Sequence, residues 1–320
     1  MSRIPLWATL IPLAVGLGAY WWYWDGERAI FEQALTGVLA EPAAVGGFPY
    51  RLEAGLPSVR FRHDGQYRFS VEAETGQLNR QPWKQDLTSI GLLKPKVVWS
   101  APGLDGAVFQ VESAEGHASL RLDGTRIARL SAVHNDARVT LPLLRATATA
   151  PSFEWHFRET PATADPASRA PTFPEQAQVV LVADAIRFGG GDPLNLSAQL
   201  GVTSAAPVWD FAGWRQGGTV ELRSLTLSDG HGDILNASAT GVAGSADPLR
   251  VSGTIRTVCP LTVQAALAGT PAPAREYRTR KEVSFAFGGI GRDVQALLPP
   301  EGLPKLPLRQ QEPPCPKIVG

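Results

Sequence analysis

The chain has 320 residues, of which 44% are hydrophobic, and its 30 Lys and Arg are balanced by 30 Asp and Glu. That much apolar material excludes wholesale disorder, and formal neutrality excludes a broad electrostatic attraction to nucleic acid. With 32 Gly and 27 Pro the chain is punctuated too often for many long helices, which favours short strands. The two cysteines, Cys259 and Cys315, form no CxxC pair, which argues against a thiolate zinc site.

From Ile4 to Trp24 no residue is charged, and at about 1.5 Å per residue this run spans roughly 31 Å, the thickness of a bilayer's hydrocarbon core. Ile4, Leu6, Leu10, Ile11, Leu13, Val15 and Leu17 favour insertion, and Pro12 is tolerated in lipid. Tyr20, Trp21, Trp22, Tyr23 and Trp24 then form a membrane-interface cluster of amphipathic rings. Arg3 on the other side of the run places the N-terminus in the cytoplasm. The expectation is a single-pass inner-membrane anchor with a periplasmic body. A cleaved signal peptide, using Gly16-Leu17-Gly18, is the competing reading. Glu27 to Leu39 continues with Ala29, Ile30, Phe31, Ala34, Leu35 and Val38 at mostly helical spacing until Gly37 and Pro42, a stripe suited to docking on the following sheet.

Val59, Phe61, Tyr67, Phe69 and Val71 alternate around Asp64-Gly65, the pattern of a hairpin. Alternation returns at Phe109, Val111 and Ser113 and at Ala118, Leu120 and Leu122, with Glu115-Gly116 and Asp123-Gly124 as turn signals between and after them. Phe153, Trp155 and Phe157 share one strand face opposite Glu154, His156 and Arg158. Thr160 to Pro174 is rich in Pro, Ala, Thr and Ser without an apolar period, a loop or linker. Strands are then expected over 179–188, 194–202, 220–227, 234–242 and 249–258, and an irregular proline-rich tail over 299–316.

This organisation divides the chain into an anchor with a helical extension (1–40), a first β-rich region (41–159), the Pro-rich segment (160–174) and a second β-rich region with its tail (175–320). The fold class is mainly β: an N-terminal transmembrane helix followed by an extended, curved antiparallel sheet, a meander of hairpins with few short helices. In an oxidising compartment Cys259 and Cys315 could pair; two unpaired thiols are the other reading.

No GxSxG, HExxH, Walker or complete GxGxxG pattern occurs, and Gly288-Gly289-Ile290-Gly291 opens no amphipathic helix. Asp229-Gly230-His231-Gly232-Asp233 holds potential metal ligands but is better suited to a hairpin turn. His63, His117, His134 and His156 are scattered and are expected at the surface. Gly189-Gly190-Gly191-Asp192-Pro193 lacks the following helix that a phosphate loop needs, so it is expected to end a strand. Trp99, Trp155, Trp209 and Trp214 are expected to fill core rather than line a ligand groove. No catalytic, metal-binding or cofactor-binding residue is assigned.

The stretches Gly18-Ala19-Tyr20-Trp21-Trp22-Tyr23, Gly47-Phe48-Pro49-Tyr50-Arg51-Leu52 and Gly217-Gly218-Thr219-Val220-Glu221-Leu222 resemble those of an alphaproteobacterial family of membrane-anchored proteins, domain of unknown function 2125. The run from Leu225-Thr226-Leu227 through Ala239-Thr240-Gly241 to Val251-Ser252-Gly253-Thr254 bears a weaker likeness to AsmA-like envelope proteins. That likeness implies long periplasmic sheets and roles in lipid movement or outer-membrane homeostasis. Neither resemblance brings catalytic residues. The functional expectation is a noncatalytic envelope protein whose sheet offers an apolar face to phospholipid; the alternative is a scaffolding module that binds other envelope proteins.

Overall fold

The computed structural model describes residues 7–36, 43–65, 68–100, 107–124, 126–141, 146–160, 174–207, 210–242, 249–290, 293–297 and 312–319. Ile4 to Leu6, Gly37 to Leu39, Tyr67, Trp209, the centre of the 160–174 segment and most of the 299–316 tail lie outside them.

Helix α1 spans Trp7–Thr36 without a break. Among the described residues no helix is long and apolar enough by hydropathy to cross a membrane; the aromatic rings that end the apolar run contribute little hydropathy. Beyond it come β1 (Val45–Gly46), β2 (Leu52–Leu56), β3 (Val59–Asp64), β4 (Arg68–Ala73), β5 (Thr75–Gln81), β6 (Lys84–Leu93), β7 (Lys96–Ser100), β8 (Ala107–Glu112), β9 (Glu115–Asp123) and β10 (Arg126–Leu141). The second part has β11 (Ala146–Glu159), β12 (Glu175–Phe188), β13 (Leu194–Thr203), the single turn α2 (Phe211–Trp214), β14 (Thr219–Asp229), β15 (Gly232–Val242), β16 (Arg250–Thr257), α3 (Pro260–Ala268), β17 (Val283–Ile290) and β18 (Asp293–Leu297).

The pairings reduce this list to one antiparallel meander. β3 pairs with β4 (Val59↔Ala73) and β2 with β5 (Leu56↔Gly76) in the same register. β2 and β3 are therefore two halves of one long leg, and β4 and β5 are two halves of the next. The same relation joins β6 to β7 and β8 to β9, since Leu93↔Glu115 continues Lys96↔Glu112 and Glu115↔Asn135 continues Glu112↔Arg138. Each strand from β10 to β18 then pairs antiparallel with the next in sequence. Glu115-Gly116 is accordingly not a turn: Phe109 to Leu122 is one leg, bent at Ser113-Ala114, whereas Asp123-Gly124 does turn the chain into β10. β11 and β12 pair directly from Ala148↔Phe188 to Glu159↔Ala177, so the sheet runs across the 160–174 segment.

The bends form a crease. Pro57-Ser58, Glu74, Lys94-Pro95, Ser113-Ala114, Asp136, Pro151 and Ala185 lie on neighbouring legs, and hydrogen bonds link several directly (Glu74 N–H to Leu93 O, Lys94 N–H to Ala114 O, Ala114 N–H to Asn135 O). Lys94, Asp136 and Ala185 take left-handed backbone angles there, with φ of 48°, 51° and 50°. Each bend adds one residue, so the inward positions change parity: Ala132 and His134 before Asp136, Ala137 and Val139 after it.

One face of the meander is inside. Residues from β8 (Val111) to β17 (Phe285) share a buried cluster with Ile318 of the tail and Val263 of α3, which cover this face. α3 and residues 312–319 close the distal end, where Tyr277 bridges Pro314, Phe188 bridges Val319 and Cys259 is bonded to Cys315. At the proximal end α1 lies on the same face of the first legs, its Trp24, Phe31 and Leu35 buried against Leu52, Ala54, Leu56 and Val59. Phe31 and Leu35 thus dock as their spacing implies, whereas Ala29, Ile30 and Ala34 of the same run are exposed.

Candidate functional site

Cross-strand registry builds an extended apolar feature on the inner face. Leu120, Leu130, Phe157, Val179, Leu200, Leu222, Ala239, Gly253, Phe287 and Ala296 stand directly opposite one another from β9 to β18. At about 4.8 Å per strand the row is roughly 43 Å long. A second row beside the crease runs Leu78, Ile90, Ala118, Ala132, Trp155, Leu181, Ala198, Leu225, Ala237, Ile255 and Phe285.

The rows differ in what covers them. Ala132, Ala198, Ile255 and Phe285 of the second are buried. Every member of the first is half-buried, and Leu120, Leu130, Phe157, Val179, Leu200 and Leu222 belong to neither buried cluster. The opposite face is polar at the same level: Asn79, Ser89, Ser119, Ser131 and His156 face one another across five legs. Over these five legs the sheet is therefore amphipathic, and the apolar strip lies between the α1 cluster and the distal cluster.

The strip starts at the foot of α1. Arg80 stands opposite Thr88, and Thr88 opposite Leu120. The Arg80 guanidinium sits 4.4 Å over the Phe31 ring and 4.0 Å from Glu27, whose carboxylate accepts two hydrogen bonds from Gln85 at 2.7 and 2.8 Å. Burial pulls the Arg80 pKa down from its usual value, and Glu27 opposes that shift.

The aromatic cluster expected at the membrane interface divides into two roles. Trp24 is only 6% exposed and donates its indole N–H to Arg51 O at 3.2 Å, which corrects its assignment: it is a packing residue. Tyr20 donates to Pro49 O and Tyr23 to Pro82 O, tying the helix to two loops, while Trp21 and Trp22 are exposed. The rings that face the body are captured by carbonyls of the following loops, and helical periodicity within α1 does not encode those partners.

His134 corrects the expectation of a surface imidazole. It is 3% exposed, and burial lowers its pKa to about 4. Its register position alternates inward with Ala132, and the bend at Asp136 hides this from a simple reading of turn neighbours. Nδ1 lies 3.0 Å from Ser113 Oγ and Nε2 accepts from Trp155 Nε1 at 3.1 Å. An indole N–H only donates, so Nε2 is an acceptor and Nδ1 carries the proton toward Ser113. The imidazole therefore cannot also accept the serine proton, and the pair is not a nucleophile and its base.

Asp229 to Asp233 forms the β14–β15 turn, with Asp229 accepting from His231 N–H at 2.8 Å and paired to Arg278. Among the described residues no group of three or more His, Cys, Asp or Glu could hold a metal ion. Residues 189–193 connect β12 to β13, and a Cβ at Gly191 would meet Ile318 O at 2.5 Å, so this glycine allows the tail to pass. Trp155 packs against the distal cluster and Trp214 is buried in α2. Sequence reading missed the half-buried row because it is a property of register between legs.

No curated protein and no solved structure matches the chain. A family model does, over residues 32–258, with the description "Uncharacterized protein conserved in bacteria (DUF2125)". That span covers most of the sheet, including the apolar strip from Leu120 to Gly253, and the chain belongs to this bacterial family.

Proposed function

We propose that this protein is a noncatalytic, membrane-anchored component of the bacterial envelope that holds the acyl chains of phospholipid along the apolar face of its sheet. The half-buried row from Leu120 to Leu222 carries the reading: it is apolar, continuous across six neighbouring legs and part of neither buried cluster. Its start at Arg80 and Phe31 places it beside α1, whose residues Leu10 to Ala19 are exposed and uncharged. A lipid leaving the bilayer along α1 would meet the Arg80–Glu27 pair at the foot of the strip and then the apolar row. α1 is the inner-membrane anchor in this reading, and the body lies in the periplasm.

The test is photo-crosslinking of the full-length protein with a phospholipid carrying a diazirine in its acyl chain, followed by peptide mass spectrometry. Crosslinks should map to the legs carrying Leu130, Phe157, Leu200 and Leu222, and Leu200→Gln with Leu222→Gln should reduce them several-fold without altering the circular dichroism spectrum. Crosslinks confined to α1, with no co-purifying phospholipid, would leave scaffolding of other envelope proteins as the better account.

A further inference from the structure

Among the described residues the strongly exposed aromatic rings are Trp21, Trp22, Tyr23, Phe48, Tyr50 and Trp83, and all six gather at one end of the molecule. Trp21, Trp22 and Tyr23 are on α1 where it meets the sheet. Phe48 and Tyr50 are on the loop entering β2, and Trp83 is on the β5–β6 turn. We infer that this proximal end docks flat on the bilayer interface, with three rings on the helix and three on the body forming one collar.

The collar is built rigidly. Tyr20 donates to the carbonyl of Pro49, which lies between Phe48 and Tyr50; Tyr23 donates to that of Pro82, beside Trp83; Trp24 donates to that of Arg51, beside Tyr50. Phe48 also packs edge-on against Trp24 at 5.4 Å and near Tyr20 at 6.0 Å. Gly47 enables the loop, with φ of 96° and no room for a Cβ, which would meet Arg51 O at 2.8 Å. Each inward ring of α1 thus holds a loop that turns its own aromatic side chain outward.

The occupant follows from chemistry and continuity. Tyr and Trp rings carry an apolar body and a polar tip and prefer the boundary between acyl chains and water. Helix residues Leu10, Ile11, Leu13, Val15 and Leu17, directly N-terminal to the collar, are exposed and apolar. The collar lies where such a helix would leave a bilayer. Docking would hold the foot of the strip at the headgroup level, which deepens the proposed function and rests on its placement of α1 in the membrane.

Depth measurement by electron paramagnetic resonance tests the docking. The full chain is reconstituted in nanodiscs of phosphatidylethanolamine and phosphatidylglycerol, with a nitroxide on p-acetylphenylalanine at position 81, beside Trp83, or at position 231, on the distal β14–β15 turn. The ratio of oxygen to nickel-chelate accessibility should be several-fold higher at 81 than at 231. It should fall to the distal value in Phe48→Ser/Tyr50→Ser/Trp83→Ser, with disc retention unchanged. Trp83→Ser alone, on an exposed turn, should produce part of that fall if the triple variant folds poorly. Equal ratios at 81 and 231 in a disc-bound wild type would overturn the docking and leave the anchor intact. Shielding of position 81 from both reagents would mark a protein partner and also overturn it. A chain that fails to stay with the discs would overturn the anchor reading itself.

Discussion

Trp155 donates its indole N–H to Nε2 of His134 at 3.1 Å, which fixes the tautomer of an imidazole only 3% exposed. The neutral ring satisfies both neighbours, Trp155 as acceptor and Ser113 as donor. A protonated ring would turn Nε2–H against the indole N–H and would place a charge in an apolar surrounding.

Stability should therefore depend on pH in a defined window. Burial lowers the folded-state pKa of His134 to about 4, against an unfolded value near 6.5. Between those values the unfolded chain binds the extra proton, so this stabilisation is complete above pH 6.5 and is lost as pH falls toward 4. The shift corresponds to about 3 kcal/mol. Urea denaturation from pH 4 to 7 should show this slope, and His134→Gln should flatten it.

The distal staple gives a second prediction. Cys259 and Cys315 close a loop with a sequence separation of 56, which on the chain-entropy model stabilises the fold by about 4 kcal/mol. The bond also positions the tail, where Ile318 is buried and Lys317 N–H donates to Asp192 at 2.8 Å. Cys259→Ala/Cys315→Ala should lower the melting temperature by several degrees in scanning fluorimetry. Alkylation of intact cells should leave both sulfurs unlabelled if the body lies in an oxidising compartment.

The second β-rich half was legible because its legs alternate cleanly from turn to turn: expected strands at 194–202 and 234–242 match β13 and β15 within two residues at each end. The first half was harder for one physical reason. Each of its legs crosses the crease, and the added residue moves the apolar set from even to odd numbers or back, as from Leu52, Ala54 and Leu56 to Val59, or from Val111 to Ala118 and Leu120. A parity switch inside an apolar run signals a bulge as well as a turn, and Glu115-Gly116 supplied turn-like residues at that position. The apolar strip depends on how ten legs align, a long-range register that local alternation does not contain. The aromatic cluster was visible as composition, but its division into tying and exposed rings depends on loops distant in sequence.

The crease itself can be relaxed at Ala185. Its φ of 50° crowds Cβ against the backbone, a cost of about 1–2 kcal/mol that glycine avoids, partly offset by the greater freedom of glycine in the unfolded chain. Ala185 N–H donates to Asn195 Oδ1 at 3.2 Å, a bond that glycine retains. Ala185→Gly should raise stability by about 0.5 kcal/mol in chemical denaturation, whereas Ala185→Val, branched at Cβ, should lower it.

The seat of α1 depends on a buried charge pair. Side chains of Glu27 and Arg80 are 10% and 9% exposed, yet they approach only to 4.0 Å, and Nε and Nη2 of Arg80 have no hydrogen-bond partner. The guanidinium is held by Glu27 and by the Phe31 ring, with little else to replace its lost hydration. Removing one partner leaves an uncompensated buried charge, which costs about 3–5 kcal/mol, while replacing both with apolar side chains is often neutral or stabilising. Glu27→Met should therefore lower the melting temperature markedly, and Glu27→Met/Arg80→Met should recover most of the loss. The double variant should also keep α1 on the sheet, judged by unchanged protection of Phe31 and Leu35 amides in hydrogen exchange. Equal destabilisation in the single and double variants would mean that the pair contributes by its attraction rather than by mutual compensation.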